Sequence, residues 1–137
     1  MYAKSGSQYY SNCYGKFYWS YQLPLSALIS LDHTDYDPVA GATDYIFGDA
    51  SAWFGECTIA SKAGGPITAS SREVATDTAW YVFDHSTVTA DTGVSLSQNV
   101  YLGRPWRVLA RVIYQNSVLT GVVAPKGWTE MAENATP

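Results

Sequence analysis

Three residues of this chain have the types and local spacing to act on an ester: Asp44, Arg104 and Trp106. Asp44 opens the run Asp44-Tyr-Ile-Phe-Gly48, which reads as a five-residue strand. Alternation predicts Tyr45 and Phe47 on one face and Asp44 on the other, facing a groove. A carboxylate placed there can attack an ester carbonyl, provided neighbouring cations hold it ionised and oriented. Arg104 and Trp106 flank Pro105, and an extended backbone turns side chains two apart to the same face. From that face a guanidinium can clamp a carboxylate through two charge-assisted hydrogen bonds, while an indole stacks on the apolar face of a sugar. Taken singly, each has a plainer use: a solvated or turn-capping Asp, and an Arg stacked on a surface Trp. Gly103 and Pro105 are expected only to fix the turn around them.

Positioning such residues requires a scaffold, and a repeated segment supplies one. Tyr9-Tyr-Ser-Asn-Cys-Tyr14, Trp53-Phe-Gly-Glu-Cys-Thr-Ile59, Tyr81-Val-Phe-Asp-His-Ser-Thr-Val88 and Val112-Ile-Tyr-Gln-Asn-Ser-Val-Leu119 share one shape. Each runs from aromatic or branched residues through a polar residue to Cys or Ser, then to more strand formers. Aligning Cys13, Cys57, Ser86 and Ser117 gives separations of 44, 29 and 31 residues. The first interval has room for two turns of about 22 residues in a stacked solenoid. Further strand-like runs, Gly65-Pro-Ile-Thr-Ala69 and Asn99-Val-Tyr-Leu102, sit among turn-forming Gly, Asp and Ser. An all-β chain is therefore predicted. A parallel β-helix accounts for the repeat, its coils stacking small and aliphatic side chains into a continuous core while loops on one side build a groove. A β-sandwich of short strands at similar spacing is the alternative. Helix signals are few: residues 24–29 could begin a short helix that residues 32–38 end. Residues 132–137 read as a polar, loosely ordered end.

Composition sets the bounds. A chain of 137 residues suits one domain with a real core. Eleven Tyr, five Trp and only 15% charged residues suit a β-rich protein that binds flat, hydroxylated ligands. A net charge of −4, with no cluster of Lys and Arg, argues against nucleic acid as a partner. No apolar run reaches the length of a membrane span, and Met1-Tyr-Ala-Lys4 lacks the apolar stretch of a signal peptide. Cys13 and Cys57 read as buried thiols rather than a disulfide framework. Asp32, Asp35 and Asp37 lack the Gly and distal Glu of a calcium loop, so no metal is expected. His33 and His85 sit beside no recognisable nucleophilic Ser and receive no role. Asn134-Ala-Thr136 matches a glycosylation sequon.

The order of motifs resembles the pectin methylesterases, fungal ones in particular. The resemblance runs through Gly41-Ala-Thr-Asp44, Gly55-Glu-Cys57, Ile67-Thr-Ala-Ser-Ser-Arg-Glu73, Tyr101-Leu-Gly-Arg-Pro-Trp106 and Gly127-Trp128. Several motifs in order are more specific than any one. It implies a right-handed parallel β-helix of the pectin lyase-like kind. The single domain over residues 1–137 would be a partial solenoid, close to the family pattern at 40–137, divergent at 1–39, and lacking its N-terminal coils and cap. An open solenoid end of that kind predicts self-association. The implied reaction removes methyl esters from the polygalacturonate of pectin, releasing methanol, with no metal or organic cofactor and in an extracellular setting. Asp44 would be the nucleophile, Arg104 its orienting partner, Gln22 an oxyanion donor and Trp106 a substrate-groove residue. The chain departs from the family where Leu23 stands in the place of an acid/base aspartate, and the second oxyanion Gln would fall before Met1. Three rivals follow: a non-catalytic pectin-binding module, an inactive truncated fragment, and a calcium-dependent pectate lyase-like protein whose motifs are missing here.

Overall fold

A computed structural model describes residues 2–3, 7–11 and 39–131. Strands account for the regular structure of these residues, and every third strand along the chain belongs to the same sheet. The first sheet holds β1 (Tyr2–Ala3), β4 (Ile46–Gly48), β7 (Gly65–Ser70) and β10 (Val100–Gly103). The second holds β2 (Ser7–Ser11), β5 (Ser51–Gly55), β8 (Tyr81–Asp84) and β11 (Val112–Gln115). The third holds β3 (Val39–Gly41), β6 (Thr58–Ser61), β9 (Thr87–Ala90) and β12 (Val118–Leu119). All neighbours pair in parallel. A chain that visits three faces in turn and meets itself in parallel one circuit later is a parallel β-helix, and the sandwich alternative falls.

Register explains the sequence repeat. Trp53 pairs with Val82, and Val82 with Ile113, which puts Cys57, Ser86 and Ser117 at one corner of successive coils. The residues just before them, Glu56, His85 and Asn116, all have left-handed backbone, with φ of 55°, 50° and 49°. This bend swings the chain from the second sheet into the third. It strands polar backbone groups inside the corner, and the small side chains satisfy them. The Cys57 amide donates to Ser86 Oγ at 3.1 Å, and the Ser86 amide donates to Ser117 Oγ at 3.1 Å. In turn the Ser86 hydroxyl lies 3.1 Å from the carbonyl of Phe54, one coil below. Cys57 itself is buried, its Sγ 3.3 Å from the Gly55 carbonyl.

The interval of 44 residues at the start is one coil rather than two, because β2 pairs directly with β5, Tyr9 against Trp53. The extra length falls between β2 and β3, where residues 12–38 lie outside the described residues, the expected short helix at 24–29 among them.

Inside the stack, equivalent side chains pile on one another. Val39, Ile59 and Val88 form one buried row in register. Phe54, Phe83 and Tyr114 form another, with ring centroids 4.6 and 4.3 Å apart and planes within 8°. Burial of each such ring contributes roughly 1.5–3 kcal/mol, and the stacking about 0.5–1.5 more per pair. Trp128 closes this row edge-on, 6.2 Å from Tyr114, while Val123 and Trp128 bridge to Val100 and Gly103 and so extend the first sheet past β10.

Candidate active site

The outer side of the first sheet brings Asp44, Arg104 and Trp106 together. Asp44 does not begin a strand, since β4 starts at Ile46 and Asp44 has left-handed backbone at φ 47°. That conformation costs a non-glycine residue on the order of 1–3 kcal/mol and persists only where surroundings enforce it. Two contacts do so. The Asp44 amide donates to the Pro66 carbonyl of the next coil at 2.7 Å. Tyr45 then dives into the core, its hydroxyl 3.0 Å from Ser61 Oγ and its ring over Gly41, where a side chain would have no room. Burial raises the Tyr45 phenol well above its ordinary range, so it stays a neutral hydrogen-bonding group.

This geometry corrects the expected alternation. Tyr45 and Phe47 do not share a face: Tyr45 is buried, while Phe47 is partly exposed beside Trp106. The bend at Asp44 places Tyr45 ahead of the strand, so alternation begins only at Ile46. Asp44 nevertheless presents its carboxylate outward, about a quarter exposed.

Arg104 follows β10. Its amide donates to the Thr68 carbonyl on β7 at 2.9 Å, and its side chain reaches past that coil to Asp44. Nε lies 3.1 Å from both carboxylate oxygens, and Nη2 donates to Oδ2 at 2.6 Å. The hydrogen bond to Asp44 is the largest influence and holds the guanidinium above its ordinary pKa, with burial opposing it and the Asp44 charge adding the least. Such a grip fixes the plane of the carboxylate more than it stabilises the fold, because both groups touch solvent.

Trp106 lies two residues beyond Arg104, past the end of β10, with buried Pro105 between them. The indole is 40% exposed, with its ring 6.3 Å from Phe47 at 55°. Gly103 does more than fix a turn. A side chain there would collide with Thr68 and press on Trp128, so glycine lets β10 close onto β7 and sets the height of Arg104.

One organising residue carries no sequence signal beyond its place in Ile67–Glu73. Arg72 is only 1% exposed, and its guanidinium donates to the carbonyls of Asp77, Ala75 and Leu109 at 2.9, 2.6 and 3.0 Å. It thereby ties the loop after β7 to the segment after β10 that carries Arg104 and Trp106. Nearby, Asp49 Oδ1 is buried without a hydrogen-bond partner. Burial first, then the neighbouring Asp77, raises the Asp49 carboxyl pKa.

Gln22 and Leu23 lie outside the described residues, as do His33 and Asp32, Asp35 and Asp37. Among the described residues no group of three His, Cys, Asp or Glu side chains could hold a metal ion, and no helix is long and apolar enough to cross a membrane. His85 is a corner residue, its Nδ1 3.1 Å from Asp84 Oδ1.

A three-faced parallel solenoid with a clamped carboxylate and an exposed tryptophan on one sheet is the kind of scaffold that lays its groove along the outside of its coils. The pectinesterase family model matches residues 21–137, and the chain belongs to that family. It is 53% identical over all 137 residues to a probable pectinesterase A of Aspergillus niger and to pectinesterase A of Emericella nidulans. It spans 35% of the length of each of these relatives. Among solved structures, the pectin methylesterase from Aspergillus niger in deglycosylated form superposes over 98% of this chain and 37% of that one, at TM-score 0.77 and 54% identity. The pectin methylesterase from carrot superposes over 70% of this chain and 33% of that one, at TM-score 0.64 and 29% identity.

Proposed function

We propose that this chain acts on pectin as an esterase, hydrolysing the methyl esters of polygalacturonate in an extracellular setting. The observation that carries the reading is the Asp44–Arg104 pair, a carboxylate held in a costly backbone conformation and gripped at both oxygens next to an exposed indole. Asp44 attacks the ester carbonyl carbon, and the carbonyl electron pair moves onto oxygen, where the Gln22 amide donates a hydrogen bond. Collapse of the tetrahedral species breaks the bond to the methoxy oxygen, which leaves as methanol after taking a proton from solvent water, Leu23 having none to give. The mixed anhydride between Asp44 and the galacturonyl group is then hydrolysed by water, returning the Asp44 carboxylate, a free galacturonate and a proton to solvent. Arg104 aims the carboxylate throughout, and Trp106 with Phe47 offers a platform for the sugar ring. The scheme calls for no metal or organic cofactor.

Leu23 favours a second reading. Leucine transfers no proton, and the general acid/base help so lost is worth about 10²–10⁴ in rate. In this reading the chain binds pectin through the same groove without turning it over. Methanol release from highly esterified pectin, with Asp44→Asn as the paired control, separates the two.

A further inference from the structure

We infer that Arg72 is a positioning residue for Trp106, holding the loop that carries the indole so that the sugar platform beside Asp44 keeps its height. The inference rests on the reading of the chain as a pectin esterase and gives that site a residue lying behind it.

The corner from the first sheet to the second changes along the stack. Residues 49–50 make it between β4 and β5, whereas 71–80 and 104–111 make it in the next two coils. Little apolar burial holds the two longer corners, since Val74 and Val108 are 58% and 77% exposed. The Arg107–Glu73 pair between them is 3.9 Å apart and open to water, where such a pair contributes little. Arg72 is the exception, a cation buried inside the wall. Burying a guanidinium is costly unless its donors are satisfied, and here main-chain carbonyls satisfy them. Two of these bonds stay within its own corner, Nε to Asp77 and Nη2 to Ala75, so the chain from 72 to 77 is moulded around the guanidinium. That leaves Nη1 aimed at the neighbouring corner, where it donates to the Leu109 carbonyl.

Trp106 therefore lies in a segment moored at both ends by one coil. Its own amide and that of Arg107 donate to the Ser70 carbonyl at 3.1 and 3.3 Å, and Leu109 is held by Arg72 just beyond Ser70. The turn 107–110, closed by the Ala110 amide on the Arg107 carbonyl at 3.1 Å, passes the second mooring back to the indole. Arg104 is moored separately, by its amide on Thr68 and its side chain on Asp44. The two halves of the site thus hang from different points, and loss of the Arg72 mooring moves the platform without loosening the clamped carboxylate. Binding and chemistry separate as a result: KM responds to Arg72, and kcat does not.

Two variants test this from opposite sides. Arg72→Lys keeps the buried charge but cannot reach all three carbonyls at once. Ala110→Pro leaves Arg72 intact, because a proline there forces Leu109 out of the turn and swings its carbonyl away. On highly esterified pectin each is expected to raise KM about five- to tenfold while kcat stays within about twofold. Calorimetry with methyl-esterified galacturonate oligomers in the Asp44→Asn background should show the same loss of affinity. Adding either change to Trp106→Ala should weaken binding no further, since Arg72 acts only through the indole. If Arg72→Lys does not fold, Ala110→Pro decides alone. Unchanged KM and affinity, a fall confined to kcat, a loss that persists in full without the indole, or no oligomer binding by the Asp44→Asn chain would each overturn the inference. A chain that releases no methanol but shows the Trp106-dependent losses would sink the esterase and keep the mooring. Methanol release with KM and affinity indifferent to both variants would do the reverse.

Discussion

Arg104 is hydrogen-bonded to Asp44 across an entire intervening coil, while its own backbone rests on that coil at Thr68. Three successive turns of the solenoid thus fix one ion pair. β4 follows the carboxylate, β7 supplies the shelf, and β10 delivers the guanidinium. The position of the pair is a property of the stack, so changes to coil spacing should reach the site even when they touch neither residue.

Replacing Arg104 tests the grip itself. Arg104→Lys keeps the charge but cannot bond both carboxylate oxygens in one plane. Catalytic efficiency is expected to fall by about 10–100-fold, corresponding to roughly 1.5–3 kcal/mol for a charge-assisted hydrogen bond, with the loss mainly in kcat. An unchanged kcat would show that Asp44 needs no orientation.

Gly103→Ala tests the shelf. The added methyl must displace Thr68 and press on Trp128, and overpacking of this kind costs about 1–3 kcal/mol. A lower melting temperature with reduced activity is expected. A variant that keeps both would show that β10 has slack against β7.

Phe83→Ala removes the middle ring of the stacked row between Phe54 and Tyr114. Truncating a buried phenylalanine costs about 3–5 kcal/mol, so chemical denaturation should show a large fall in stability. A loss under 1 kcal/mol would mean that neighbouring coils collapse into the gap, contrary to the packing described.

Asp49 gives stability a pH signature. Its folded-state pKa is raised above the ordinary value of 3.8, by burial first and then by Asp77. The folded chain therefore holds this proton more tightly than the unfolded chain. The associated stability is present below the ordinary pKa and lost as pH rises through the raised one. Asp77, Arg72 and Glu73 are the charged neighbours, with Arg72 opposing the shift. Asp49→Asn should accordingly melt higher than the parent at neutral pH, with the gain vanishing toward pH 3. A gain independent of pH would point to something other than the carboxylate charge.

Much of the solenoid was legible because its corners impose chemistry. The bends at Glu56, His85 and Asn116 leave backbone groups that only a small side chain directly after them can satisfy, so Cys57, Ser86 and Ser117 mark the period. Asp44 has the sequence pattern of a strand's first residue but sits at a bend, since a left-handed aspartate has no local signature when Pro66 and the buried Tyr45 enforce it from elsewhere. Arg72 leaves no mark in the sequence because its partners are main-chain carbonyls, which look alike in any sequence. Length alone does not show whether the 44 residues between Cys13 and Cys57 make one coil or two, and the pairing of β2 with β5 decides it.

The most direct measurement is methanol released from highly esterified pectin by the purified chain and by its Asp44→Asn variant. The account predicts slow release by the parent and none above background by Asp44→Asn. Equal release by both proteins would contradict it, because the carboxylate that the whole stack positions would then have no part in the reaction.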